Sequence, residues 1–262
     1  MALTDNLNAY YKLDGNSNDS VNSNNGTDTD ITYSAANGKI VQGAGFNGTT
    51  SKIMVADNAA FDITGDFSMS CWIKVAAQQT FRFISKNGTQ GAYTVNYRDD
   101  RGARGYGLDV FVDESTNYSK YDVLWSPAQV LTNGTWYHLV VTWHITGTNT
   151  NTATFYVNGS SIGTANGTNV DALNSNNQSF QIGTNDEGTN SFLNGAIDEV
   201  GLWSRALSST EVTQLYNGGA GLQYPFTAGP SNLKTYNTNA KSNCKTINTN
   251  LIANCKSLDT NV

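Results

Sequence analysis

The sequence predicts an all-β protein with one short helix towards its end and a short β-repeat tail after it. Three features point there. The polar residues are dominated by Asn, Thr, Ser and Gly, only 14% of residues are charged and 11% are aromatic, a balance that favours strands and turns over helices. Apolar residues alternate with period two in segments such as 67–75 and 136–143, as in a half-buried strand. Asn-Gly pairs recur between these segments, at Asn47-Gly48, Asn87-Gly88, Asn133-Gly134 and Asn158-Gly159, and this dipeptide suits tight turns.

Each element can be justified in order. Residues 7–13 form a first strand, with Ala9, Tyr11 and Leu13 on one face; residues 14–20 are turn-rich. Small residues precede Phe46, and residues 51–55 continue as a strand. In 67–75, Phe67, Met69, Cys71, Ile73 and Val75 point inward and Trp72 points the other way. Residues 81–86, 93–97 and 108–112 keep the hairpin rhythm. In 136–143, Trp136, His138, Val140 and Thr142 share one face, and Tyr137, Leu139, Val141 and Trp143 the other. His138 is expected to be packed and His144 to face solvent; neither has a nucleophile beside it or helical zinc-site spacing. Residues 153–163 make a hairpin about Asn158-Gly159, and 180–183 a further strand. Residues 196–203 form the last strand, which carries Asp198 among apolar neighbours. Such a carboxylate is costly unless paired, hydrogen-bonded or metal-bound. Ser208 and Glu211 then form a capping box, Val212, Leu215 and Tyr216 make an apolar stripe, and Gly218 is placed to end the helix.

Composition also bounds function. The 262 residues suffice for one large β domain plus an appendage, and a formal net charge of −6 argues against nucleic acid as a partner. No apolar run is long enough to span a bilayer. The three cysteines, Cys71, Cys244 and Cys255, do not make a disulfide framework. The first residues lack the basic region and apolar core of a signal peptide, yet the surface chemistry is that of an extracellular protein. Placement outside cells or on a virion surface is therefore expected.

Three stretches carry a family resemblance: Gly195-Ala196-Ile197-Asp198-Glu199-Val200 with Arg205-Ala206-Leu207-Ser208; the Trp136 strand; and Tyr156-Val157-Asn158-Gly159. Together they resemble laminin-G-like jelly rolls of the concanavalin A-like lectin/glucanase superfamily, over about residues 7–222. The resemblance implies two stacked antiparallel sheets with the first and last strands adjacent, and a structural Ca²⁺ where the termini meet. On that basis Asp198, then Asp19, then Asp14 and Asn16 are the candidate ligands. Hard oxygen donors of this kind suit Ca²⁺, while an Asx-turn at Asp19 and backbone amides on Asp198 are the plainer alternative. Asp186 and Glu187 form a weaker candidate for metal or sugar contact.

The most charged stretch, 98–107, is either a solvated loop or a ligand-facing one. The candidate glycan-binding residues are Arg98, Asp99, Tyr106, Tyr121 and Trp125, since aromatic rings stack on sugar faces and Arg and Asp bond hydroxyls. The glucanases of the superfamily carry alternate acids along one strand, Glu-x-Asp-x-x-Glu, as nucleophile and general acid. That run is absent from the sequence, and in Ile197-Asp198-Glu199 alternation puts the acids on opposite faces. The chain is accordingly expected not to be an enzyme, with glucanase-type hydrolysis or a pure scaffold role as alternatives.

Residues 223–231 look like a linker. Beyond it, segments starting at Asn232, Asn243 and Asn254 repeat every eleven residues, each opening Asn-x-Lys. Asn, Thr, Ser and Cys are poor helix formers, so 232–262 is expected to form small strands with open edges that pair with another protein or with copies of the chain. The combined expectation is an adhesion or display protein whose jelly roll binds a cell-surface glycan or polysaccharide and whose tail attaches it.

Overall fold

A computed structural model describes residues 1–86, 92–98, 105–114, 120–185 and 191–227. The candidates Asp99, Asp186 and Glu187, and the repeat 232–262, lie outside the described residues. The strands run in the order β1 (Leu7–Tyr11), β2 (Gly26–Thr29), β3 (Thr32–Ser34), β4 (Gly43–Asn47), β5 (Lys52–Val55), β6 (Phe67–Val75), β7 (Phe81–Lys86), β8 (Tyr93–Arg98), β9 (Gly107–Asp113), β10 (Tyr121–Trp125), β11 (Trp136–Gly147), β12 (Thr150–Val157), β13 (Ser160–Gly167), β14 (Phe180–Ile182) and β15 (Asn194–Trp203), followed by one helix, α1 (Ser209–Tyr216). They make two antiparallel sheets. An eight-stranded sheet A has the order β13-β12-β11-β6-β15-β4-β3, with β1 also on β15. A seven-stranded sheet B has the order β10-β9-β8-β7-β14-β5-β2. No helix among the described residues is long and apolar enough to cross a membrane.

Period-two alternation builds the core between the sheets. In sheet A, Phe67, Met69 and Cys71 of β6 face Trp143, Val141 and Leu139 of β11 in register. In sheet B, Tyr93, Val95 and Tyr97 of β8 and Leu108, Val110 and Val112 of β9 point into the same core. The other face of sheet A is covered as well. A second apolar cluster joins Leu3, Leu7, Tyr10, Val140, Tyr156, Trp203, Leu207, Val212 and Leu215, so α1 lies against the outer side of this sheet. Trp72 stacks on Tyr216 at 5.7 Å, and His138 packs beside Trp72 at 5.2 Å with Nε2 2.9 Å from Ser70 Oγ. Burial pulls the His138 imidazole down to about 3. His144 is solvent-facing and pairs with Asp66 at 2.6 Å.

Local chemistry fixes the connections. The β12–β13 hairpin turns at Asn158 and Gly159, with φ of 52° and 78°, as a type I′ turn requires. A Cβ on Gly159 would lie 2.8 Å from the Tyr216 ring, so glycine is needed both for the turn and for α1 to approach. Ser208 and Glu211 form the expected capping box. The helix ends where expected: Gly218 takes the left-handed region at φ 60° just past the C-cap Asn217, which is itself left-handed at φ 49°. Arg205 locks the cap from behind, donating to Glu211 at 2.6 and 3.0 Å and to the carbonyls of Asp5 and Ala2. Burial pushes the Glu211 carboxyl up, but bonds from Arg205 and Ser208 outweigh it and hold the group at about 2.

Residues at the start of the expected linker lie against the jelly roll. The Tyr224 and Phe226 rings sit 5.9 and 5.1 Å from that of Tyr10. The compact unit accordingly runs from Met1 to Phe226.

Candidate functional site

Two places gather chemistry. The first is the face of sheet B turned away from the core. Since Val95, Tyr97, Leu108 and Val110 point inward, Asn96, Asp109 and Phe111 point outward. Register then sets Asn96 opposite Asp109 and Asp109 opposite Trp125, and Tyr121 opposite Asp113. This row is tied together. Arg98 Nε donates to Asp109 Oδ1 at 2.6 Å and Nη2 to Oδ2 at 3.2 Å. The guanidinium carbon lies 4.3 Å over the Trp125 ring, a cation–π geometry. Asn96 Nδ2 donates to Asp109 Oδ2 at 2.8 Å. That carboxylate fixes the amide orientation, and the buried Asn96 Oδ1 is left without a hydrogen-bond partner. Tyr121, 51% exposed on the edge strand β10, tilts against Phe111 at 5.5 Å.

Of the expected ligand residues, Arg98, Tyr121 and Trp125 therefore share this face. Tyr106 packs elsewhere, stacked on Tyr97 at 5.2 Å against the core. Sequence reasoning missed Asn96, Asp109 and Phe111. Alternation about Val95 and Val110 marks them as outward-facing, but only strand pairing shows that they meet Arg98 and Trp125.

The second place is a seam on sheet A. Along one edge of β15, pairing with β4 ends at Ile197 and pairing with β1 begins at Val200. Between them the strand bulges, and Glu199 takes a φ of 54°. The bulge breaks alternation, so Asp198 and Glu199 do not diverge as expected: Glu199 feels the Asp198 charge, and both feel that of Asp14. Asp198, 0% exposed, accepts from the Lys39 and Ile40 amides through Oδ2, both at 2.8 Å, while the buried Oδ1 has no partner. Glu199 accepts from Tyr10 Oη at 2.5 Å and Gln223 Nε2 at 2.6 Å. Asp14 accepts from the same Gln223 nitrogen at 2.8 Å and from the Gln42 amide at 2.9 Å. Burial, reinforced by the neighbouring carboxylates, raises Asp198 to about 7 and Glu199 to about 9. None of the three has a Lys or Arg partner among the described residues.

Asp14 therefore joins Asp198. Asp19 instead accepts from the Tyr10 and Val21 amides and from Asn24, and Asn16 bonds the Asn18 amide in an exposed turn. As the side chains stand, no group of three or more His, Cys, Asp or Glu among the described residues is gathered to hold a metal ion; the Gln223 amide nitrogen lies between Asp14 and Glu199. The donor set itself fits a hard cation: three carboxylates, one with a buried oxygen lacking any partner, and a glutamine that can present either end of its amide.

Comparison with known proteins agrees with this architecture. Domain 4 of AbnA, a GH43 extracellular arabinanase from Geobacillus stearothermophilus, solved with arabinotriose, superposes with a TM-score of 0.59 at 23% identity, covering 79% of this chain and 96% of that one. The binding domain of Paraclostridial Mosquitocidal Protein 1 gives 0.64 at 18% identity, over 83% and 53% of the two chains. The receptor binding domain of botulinum neurotoxin C/D mosaic serotype gives 0.61 at 16% identity, over 82% and 51%. The chain thus spans about half the length of the toxin domains. These likenesses concern the fold. No curated protein matches the sequence. The Laminin_G_3 family model matches residues 47–213, and the chain belongs to this family of the concanavalin A-like lectin/glucanase superfamily.

Proposed function

We propose that the chain is a non-catalytic glycan-binding module whose ligand lies on the outer face of sheet B along β8, β9 and β10. One observation carries this: Arg98, Asp109 and Trp125 form a prearranged polar–aromatic row beside the exposed Tyr121. Ring faces suit the apolar face of a sugar and a fixed guanidinium suits its hydroxyls; Asn96 and Asp109 are buried beneath and serve to hold Arg98 in place. Asp109, 0% exposed and bonded to both Arg98 and Asn96, positions the guanidinium and does not itself meet a ligand. The arabinanase domain in complex with arabinotriose and the toxin binding domains support the same reading. Titrating soluble arabinan, xylan and β-glucan, with a panel of cell-surface glycans, checks it. Saturable binding to at least one is expected, weakened about tenfold or more by Trp125→Ala or Tyr121→Ala. Binding to none, or binding indifferent to both variants, overturns it.

Two further parts belong to the proposal. Asp14, Asp198 and Glu199 hold a structural Ca²⁺, with Gln223 turning its carbonyl oxygen to the ion; the unmet Asp198 Oδ1 supports this. The ion would neutralise the seam where β1, β4 and β15 meet. The module works outside cells or on a virion surface, and residues 232–262 attach it to a protein partner or to its own copies. Removing residues 228–262 and measuring assembly by light scattering tests the attachment role, which an unchanged assembly state rejects.

A further inference from the structure

A separate concavity of ≈ 270 Å³ opens at one end of the sandwich, lined among others by Asn37, Phe46, Lys74, Gly134, Asn194 and Gly195. It holds roughly nine water volumes, enough for one sugar ring. It is formed by ends of β4, β6 and β15 and the approach to β11, all in sheet A, whereas the glycan face lies on sheet B.

Its polar groups are few and of definite kinds. Lys74 Nζ is steadied by the Ala36 carbonyl at 2.7 Å and by the Trp136 ring at 5.0 Å. It forms no ion pair among the described residues, and no carboxylate lines the cavity. An ammonium has three donors, so those not taken by Ala36 remain for a ligand. The Asn37 amide nitrogen is committed to Thr32, which leaves the Asn37 carbonyl oxygen as an acceptor. The Asn194 side chain makes no hydrogen bond within the described protein and can both donate and accept. Phe46 supplies an apolar wall. Gly134 leaves its side of the lining open, since a Cβ there would meet nothing within 4 Å, and Gly195 is required where β15 passes close to the Lys74 carbonyl. A cavity with two amides, no acid, and one cation that has no ion pair among the described residues selects locally for a compact anion bearing hydroxyls.

We propose that this cavity is a second binding site, for a carboxylate-bearing monosaccharide of the hexuronate class, with Lys74 as the countercharge and Asn37 and Asn194 bonding the ring hydroxyls. Glucuronate and glucose differ at the carboxylate alone, so they are the probes. In ¹H–¹⁵N spectra of the full chain, glucuronate should shift the amides of Gly134 and Gly195 saturably. Glucose should bind at least tenfold more weakly. Lys74→Gln should weaken glucuronate at least tenfold while leaving spectral dispersion intact, and Asn194→Trp, which fills the cavity, should abolish it. Trp125→Ala should leave it unchanged, which separates this site from the sheet B face. The proposal is overturned if glucuronate produces no saturable shift at Gly134 and Gly195, if glucose binds as tightly, or if neither Lys74→Gln nor Asn194→Trp weakens binding.

Discussion

Glu199 shows how a single residue couples chemistry to the fold. Its folded value, about 9 against an ordinary 4.5, arises from burial first and from the Asp198 charge second; Asp198 is raised from 3.8 to about 7, chiefly by burial. Both acids keep their protons to higher pH in the folded chain than in the unfolded one. Between those values the folded state binds more protons, so stability present at low pH is lost as pH rises. In cation-free protein the urea midpoint should fall between about pH 7 and 9, above the range where an unfolded His138 titrates. The fall is set by up to ~1.4 kcal/mol per pH unit for each proton held. Glu199→Gln should flatten that fall, and Ca²⁺ should raise the midpoint most at the alkaline end, where the carboxylates are ionised. A midpoint that climbs with pH in EDTA contradicts this account. Asp198 was legible in the sequence because an acid among apolar strand residues calls for an explanation. Glu199 was not, because strict alternation sends it to the other face. The bulge follows from β4 and β1 sharing one edge of β15, a property of pairing that local sequence does not carry.

Elements built on turn and cap chemistry were the most readable. The Ser208–Glu211 box and the Asn158-Gly159 hairpin are local patterns with local causes, and both are present. The helix end was legible in Gly218, whose φ is 60°; the left-handed Asn217 before it was not, because asparagine tolerates that region without announcing it. Ser208→Ala should cost about 1 kcal/mol. Glu211→Gln should cost more, since it also leaves the largely buried Arg205 without its counterion. Gly159→Ala should destabilise by more than ~1 kcal/mol, because the new methyl group meets Tyr216 in addition to the unfavourable φ. Urea denaturation of the three variants checks the order; a Ser208→Ala loss exceeding that of Glu211→Gln contradicts the role given to Arg205.

At the scale of the whole molecule, the sandwich is closed by its own ends. β1 pairs with β15, and the stretch from Gln223 to Phe226 returns over Tyr10 to bridge Asp14 and Glu199. A chain ending at Leu222 should be about 2–5 kcal/mol less stable than one ending at Thr227, because losing Tyr224 and Phe226 re-exposes Tyr10 and Trp203 to water and leaves buried carboxylates without the Gln223 donor. Equal midpoints for the two truncations contradict this closure. The two-sheet architecture was legible because alternation and turn spacing repeat along the whole chain. The ligand face was legible only in part: Arg98, Tyr121 and Trp125 announce themselves by type, whereas Asn96 and Asp109 acquire meaning only when three strands are laid side by side.

The central claim is that this composite row on sheet B is where a glycan docks. Chemical-shift mapping with the polysaccharide fragment that binds most tightly tests it directly. The account predicts perturbations concentrated at Asn96, Arg98, Asp109, Phe111, Tyr121 and Trp125, abolished in Trp125→Ala. Perturbations confined to sheet A, or an unaltered map in that variant, would contradict it.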